Sequence, residues 1–176
     1  MMKQGGMRPQ DVVILLKKIT AQGCQQTNKE LALSVGISQS EVSAAIERCR
    51  VSKLVSNDKS RVNVLALRDF LMSGLQYVFP VQPGSIVRGM ATAVSAPPIS
   101  EHIPSTTETY VWPYKNGTSR GQGVIPLYKS VPKAAENDPE LYRLLVIADT
   151  LRMGRVRERN VAIQELDKYI EAYGAR

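Results

Sequence analysis

Histidine and cysteine are scarce in this chain of 176 residues, which has one histidine and two cysteines. A structural metal site needs three or four such side chains, and a disulfide framework needs several cysteine pairs. Catalysis by a histidine base also has little support, because His102 lies in the segment SEHIPS with no nucleophile motif beside it. We therefore expect no metal, no cofactor and no enzymatic activity.

Long apolar runs are also missing. No segment approaches the ~20 apolar residues that a transmembrane helix requires. The first ten residues, MMKQGGMRPQ, lack the apolar core of a signal peptide. We expect a cytoplasmic protein without a membrane partner. The chain is 43% hydrophobic and 22% charged, a composition typical of a folded protein with a buried core.

Basic side chains are in excess, and they are unevenly distributed. The formal net charge is +7, and residues 1–70 hold 11 basic and 6 acidic side chains, whereas residues 134–176 hold 7 and 8. A basic surface favours polyanions through counterion release. The distribution agrees with nucleic-acid binding by the N-terminal part. It also fits a charge excess that only keeps the protein soluble.

Two helix-start signals lie close together in TNKELALSVGISQSEVSAAIERC, residues 27–49. In TNKE and again in SQSE a hydroxyl residue precedes a glutamate by three positions, which is the pattern of a capping box. Gly36 between them can adopt the positive φ that ends a helix. The apolar stripes are Leu31, Ala32 and Val35 in the first segment and Val42, Ala45, Ile46 and Cys49 in the second. The spacing predicts a helix-turn-helix.

The second helix of this pair would turn short or polar side chains outward. Glutamine can read adenine through two hydrogen bonds, and serine can reach bases or phosphates. An ordinary solvated helix more often carries pairs of lysine and glutamate. We predict that a helix cap, Ser38, contacts the DNA backbone and that five side chains read bases: Gln39, Ser40, Ser43, Glu47 and Arg48. A structural helical corner is the alternative.

The flanks of the motif suggest a third helix and a basic hairpin. Upstream, RPQDVVILLKKITAQG predicts a helix that begins at Pro9 and ends at Gly23. Downstream, the pattern predicts a strand at Leu54–Val55, the turn SNDKS, and a second strand with alternating apolar residues at Val62, Val64 and Ala66. We expect DNA backbone contacts from three cations of this hairpin: Lys53, Lys59 and Arg61.

With ELALSVGISQSEVSAAIERC followed by LVSNDKSRVNV, residues 8–67 resemble the winged helix-turn-helix domains of bacterial transcription regulators, of the broad type that includes the MarR-like families. The resemblance implies a homodimer that binds a palindromic operator in double-stranded DNA, and we expect a repressor. The size and layout of the chain also resemble the AbiEi-like antitoxin regulators, which are encoded beside nucleotidyltransferase-type toxins.

The rest of the chain is predicted in three parts. A connecting helix at 68–79 leads to a Pro/Gly-rich region at 80–134 with short strands and loops, and a helical hairpin at 138–173 could contribute to a dimer. The overall class is therefore α+β. In the Pro/Gly-rich region, a second basic surface for phosphate or nucleic acid is suggested by Arg88, Lys115 and Arg120. The alternative is that glycines form turns there and arginines pair with carboxylates. Trp112 is expected to be a core or interface anchor.

Two other classes of function compete with DNA binding. The helix-turn-helix could bind a protein partner, such as a toxin, so that the chain acts as an adaptor. The middle region could instead bind a small anion that alters DNA affinity, which would make the protein a ligand sensor. Stoichiometric partner capture without DNA binding distinguishes the first class, and a thermal shift with an anion distinguishes the second.

Overall fold

The computed structural model describes residues 5–104 and 107–174, and within these ranges it contains eight α-helices and three strands. The helices are α1 (Pro9–Lys18), α2 (Asn28–Val35), α3 (Gln39–Val51), α4 (Val64–Ser73), α5 (Leu75–Val78), α6 (Val131–Glu136), α7 (Pro139–Met153) and α8 (Val156–Gly174). The strands are β1 (Ile86–Ala91), β2 (Tyr110–Pro113) and β3 (Ser119–Gly123). The α+β class is confirmed.

The first three helices pack against one another. The predicted capping box is present at the start of α2, where the Thr27 hydroxyl accepts from the Glu30 amide and the Glu30 carboxylate accepts from the Thr27 amide at 2.8 Å. Gly36 ends α2 with φ of 65°, as predicted. Helix α1 is shorter than predicted, because it ends at Lys18 rather than at Gly23.

The hairpin after α3 is smaller than the two predicted strands. One isolated bridge joins Val55 to Val62, and helix α4 begins at Val64. The reason is Asn63, whose side-chain oxygen accepts from the Ala66 amide at 3.2 Å and caps the helix. The prediction of a second strand through Val64 and Ala66 is therefore wrong. Helix α4 also begins four residues before the connecting helix predicted at 68–79, so the predicted boundary at 67 lies inside it.

The three strands close into a small barrel, in which each strand pairs with both others. Strand β1 is antiparallel to β2 and β3, and β2 is parallel to β3. Two glycines make this closure feasible. A Cβ on Gly89 would lie 1.9 Å from the Trp112 carbonyl oxygen, and a Cβ on Gly121 would lie 2.3 Å from the Thr109 carbonyl oxygen. Glycine is therefore required after Arg88 and after Arg120 because the neighbouring strand leaves no space for a side chain.

Helix α7 lies inside the molecule. Every residue from Leu144 to Leu151 is buried, including Asp149. The Asp149 carboxylate accepts from Trp112 Nε1 at 2.6 Å and from Thr92 Oγ1 at 2.8 Å, and it pairs with Arg152 at 2.8 Å. Trp112 is 1% exposed, which confirms its expected role as an anchor within the core.

Polar contacts join the N-terminal helices to the C-terminal pair α7 and α8, which pack against each other. The buried Lys17 ammonium lies 2.5 Å from the Asp138 carboxylate at the start of α7. On α8, the Tyr169 hydroxyl donates to the Ile19 carbonyl at 2.9 Å. Arg68 of α4 also pairs with Asp167 of α8, at 2.9 Å for one of its two hydrogen bonds. The buried apolar side chains of the described residues form one continuous core.

The apolar side chains of α7 are buried within the chain, so a homodimer would need another surface. Among residues 5–104 and 107–174, no helix combines the length and the apolar character needed to cross a bilayer.

Candidate nucleic-acid interface

Helix α3 divides into a buried face and an exposed face. The Ser38 hydroxyl accepts from the Glu41 amide at 3.3 Å and caps its first turn. The predicted inward stripe is buried and consists of Val42, Ala45, Ile46 and Cys49. Because α1 and α2 both contact α3, they lie behind its apolar face. The opposite face is left to solvent.

Four short or polar side chains lie exposed on α3, as the sequence predicted: Gln39, Ser40, Ser43 and Ala44. The Asn28 amide nitrogen lies 3.4 Å from the Ser43 hydroxyl, so the first residue of α2 borders this row. The sequence prediction missed Asn28. The sequence signal for this position is its place in the first turn of α2, because the backbone N–H groups of a first helical turn attract anions.

Arg48 has a different position from the predicted one. Its Nε and Nη2 donate to the two Asp11 carboxylate oxygens at 2.9 and 2.7 Å, and Nη2 also donates to Glu41 at 2.5 Å. Hydrogen bonding to Asp11 raises the pKa of Arg48. Asp11 is fully buried and Arg48 is 13% exposed. The guanidinium therefore holds α1 against α3, and base reading by Arg48 stays a prediction.

Glu47 joins α3 to the turn that follows it. Its carboxylate accepts from Arg50 Nη2 at 2.6 Å and pairs with Lys59 Nζ at 2.9 Å. Hydrogen bonds from Arg50 and then Lys59 lower the pKa of Glu47 to about 2. Glu47 is therefore ionised near neutral pH and paired with two cations, while base reading by Glu47 stays a prediction.

The turn between Ser56 and Arg61 is built around one carboxylate. Asp58 accepts from the Ser56 hydroxyl at 2.5 Å and from the Ser60 amide and hydroxyl at 3.1 and 2.8 Å. These hydrogen bonds, led by the one from Ser56, lower the pKa of Asp58 to about 2. Lys59 has φ of 63° at the tip. The backbone of this turn is thus fixed by local contacts.

A basic cleft of about 450 Å³ lies between the C-terminal end of α3 and this turn. Its charged lining side chains are all cationic: Arg50, Lys53 and Arg61. Arg50 pairs with Glu47. Lys53 and Arg61 are exposed, and neither has an ion pair in the part of the chain that the structure describes. The structure therefore groups two of the three hairpin cations predicted to contact the DNA backbone at a cleft, with Lys59 paired with Glu47 nearby.

The second basic surface that the sequence suggested is partly assembled. Arg88 of β1 and Arg120 of β3 are directly opposite each other in the antiparallel register. Lys115 lies in the β2–β3 connection, which is tied to β1 by a hydrogen bond from the Tyr114 amide to the Arg88 carbonyl at 3.3 Å. All three cations are exposed. The predicted alternative of arginine–carboxylate pairs has no counterpart for Arg88 or Arg120 within the described residues.

Comparison with models of known protein families, with curated proteins and with solved structures finds no match. The described residues also contain no group of three or more metal-ligating side chains placed to hold an ion. The site is thus characterised by its own geometry: an exposed polar helix face with an adjoining cationic cleft.

Proposed function

We propose that the chain is a sequence-specific DNA-binding transcription regulator that reads a major groove with α3 and acts in the bacterial cytoplasm. The observation that carries this proposal is the joint placement of two features. One is the uncovered row of Gln39, Ser40 and Ser43 on α3. The other is the cleft at the end of the same helix, where Lys53 and Arg61 have no carboxylate partner among the described residues.

The row on α3 suits base reading because its side chains are short. A major groove admits a helix only if the facing side chains leave room for close approach. Gln39 can make two hydrogen bonds to adenine, the serines can accept or donate, and Ala44 can contact a thymine methyl. Asn28 adds an amide beside Ser43.

The cations at the cleft suit the DNA backbone. Lys53, Lys59 and Arg61 follow α3 directly, and long basic side chains in such a position orient a protein on phosphates rather than read sequence. The order α1, α2, α3 and a short bridged turn supports the proposal of a winged helix-turn-helix with a small wing. We assign Ser38, at the cap of α3, to the backbone as well.

We further propose a homodimer that represses from a palindromic operator. A single small motif buries little surface on DNA, and two copies whose recognition helices lie about 34 Å apart contact successive major grooves. Since α7 is buried, the pairing surface must lie elsewhere. Sedimentation of the purified chain with and without operator DNA tests the dimer separately from DNA binding.

Selection from a random duplex library tests the DNA-binding proposal. The protein should enrich one motif at low salt. Gln39→Ala should relax the preference at one position, with a loss of about 1–3 kcal/mol against the preferred base. Lys53→Gln should weaken all sequences alike and reduce the salt slope of log K by about 1.

Matched control variants are available on other exposed helix surfaces. Gln164→Ala on α8 and Ser73→Ala at the end of α4 change the same residue types at exposed positions. Both should retain the motif and the affinity. The proposal fails if no motif is enriched at low salt, or if the controls alter the preference as strongly as Gln39→Ala.

An adaptor that binds a protein, such as the toxin partner of an antitoxin, is the second candidate. Large apolar side chains are exposed at Tyr77 (76%) and Ile125 (73%). The segments that carry them come together at Arg152, which donates to the carbonyls of Phe79 and Ile125 at 2.9 and 3.4 Å. Exposed apolar patches favour protein partners. Capture of one stoichiometric partner, with no duplex bound at low salt, would favour this candidate over the regulator.

A further inference from the structure

A second cleft, of about 690 Å³, lies where three distant parts of the chain meet. Lys18 and Cys24 come from the segment at the end of α1, Arg61 comes from the turn after α3, and Tyr173 comes from the end of α8. Its volume is typical of small-molecule sites. None of the exposed side chains on α3 contributes to it.

Lys18 is the unusual residue in this cleft. It is 8% exposed, yet it has no hydrogen bond or ion pair with any residue that the structure describes. The preceding residue, Lys17, is 1% exposed but lies between the Asp138 carboxylate and the Gln22 amide oxygen, at 2.5 and 2.9 Å. Buried ammonium groups are ordinarily paired in this way. Among the described residues no buried side-chain nitrogen or oxygen lacks a partner, so the Lys18 stem is buried while its ammonium reaches the solvent of the cleft.

The surroundings of Lys18 favour an anion. Burial lowers the pKa of the Lys18 ammonium, and the Cys24 thiol partly opposes this shift. Arg61 supplies a second cation to the same cleft, and none of the lining residues within 5–104 and 107–174 is acidic. A ligand oxyanion beside the two cations would give the partly desolvated Lys18 ammonium a charged partner in the cleft.

We propose that this cleft binds a small molecule carrying a carboxylate or phosphate group, with Lys18 and Arg61 holding the oxyanion and Tyr173 contacting the rest of the ligand. The binding itself is independent of the DNA proposal. One consequence rests on the proposed function: an occupied cleft would engage Arg61, a predicted backbone contact, and so reduce affinity for DNA.

Cys24 provides a direct reporter of the cleft. Its thiol is exposed, whereas Cys49 is buried and desolvation raises the pKa of Cys49 to about 12, so that Cys49 stays unreactive near neutral pH. The Cys24 thiolate displaces iodide from the methylene carbon of iodoacetate or iodoacetamide: an S–C bond forms, the C–I bond breaks and iodide leaves. Iodoacetate carries a carboxylate and iodoacetamide is neutral. The ratio of their rate constants therefore measures attraction of an anion into the cleft and cancels changes in thiolate fraction.

The ratio should be lower in Lys18→Met and in Arg61→Gln than in the unmodified chain, by about threefold, the effect of losing one partly exposed ion pair. Pyrophosphate should slow iodoacetate labelling with a saturable dependence on concentration. Lys133→Met removes the same charge at an exposed site on α6, outside this cleft, and should leave the ratio unchanged.

Three results would overturn the inference. The ratio could stay unchanged in both cleft variants, it could fall equally in Lys133→Met, or pyrophosphate could give no saturable protection. Circular dichroism establishes that each variant is folded. Arg61 is exposed, so Arg61→Gln keeps the test decisive if Lys18→Met does not fold. Because no DNA is present in the assay, failure of the cleft and failure of the DNA proposal are separate outcomes.

Discussion

Replacement of Arg48 by methionine distinguishes a structural role from base reading. Arg48→Met keeps much of the side-chain length but removes all donors to Asp11 and Glu41. Asp11 is fully buried, and apart from Arg48 the remaining donor to its carboxylate is the Arg8 amide at 2.9 Å. The variant would therefore leave a buried carboxylate largely uncompensated. Removing one partner of a buried ion pair lowers the free energy of unfolding by more than the intact pair contributes to it.

The expected loss of stability is substantial. Removing one partner of a buried ion pair costs about 3–5 kcal/mol. We take the lower end, about 3 kcal/mol, because Arg48 is 13% exposed and water can reach the vacated position. For a chain of this size, each kcal/mol corresponds to about 2–4 °C in melting temperature, so Arg48→Met should melt about 6–12 °C lower.

Thermal unfolding followed by circular dichroism measures this change, and Arg50→Met is the matched control. Arg50 lies two residues further along the same helix, and its pair with Glu47 is exposed at 33% and 44% for the two side chains. Exposed pairs add little to stability, so the control should melt close to the unmodified chain. Equal melting temperatures for the two variants would refute the structural role of Arg48. A loss of DNA specificity without destabilisation would favour base reading by Arg48.

Two further predictions concern the fold. Gly36→Ala should destabilise the chain by about 1–2 kcal/mol in urea unfolding, because φ of 65° is unfavourable for any residue with a Cβ, whereas Gly84→Ala should change little. Asp149→Asn should lower the urea midpoint, read from the fluorescence of Trp112, by removing the charge that compensates the buried Arg152. An unchanged midpoint for either variant would contradict its explanation.

Sequence reasoning succeeded where the signal is local. The cap at Thr27, the stop at Gly36 and the stripe on α3 each depend on residues within about two helical turns, and each is present. The small hairpin shows the limit of this reasoning. Val62, Val64 and Ala66 alternate as a strand would, but Asn63 is also a good helix cap, and the cap determined the outcome.

The parts that sequence could not supply depend on distant contacts. The partner of Arg48 is Asp11, 37 residues earlier, and no periodicity on α3 indicates which side chain a guanidinium will reach. Likewise, the dipeptide Arg-Gly occurs at 88–89 and again at 120–121, but the register that places Arg88 opposite Arg120 depends on how the strands close. Tertiary packing decides both cases.

The ion pairs of Arg48 and Glu47 bear on how recognition would work in the proposed regulator. With Arg48 held by Asp11 and Glu47 held by Arg50 and Lys59, the exposed row on the helix carries no unpaired charge among the described residues. Specificity would then rest on neutral hydrogen bonds, while affinity would come from cations in the adjoining turn. The Glu47–Lys59 pair connects these two segments. Because Glu47 already orients the Lys59 ammonium, Lys59 would lose less conformational entropy on contacting a phosphate. This is a physical reason for an acidic residue to lie beside a polyanion.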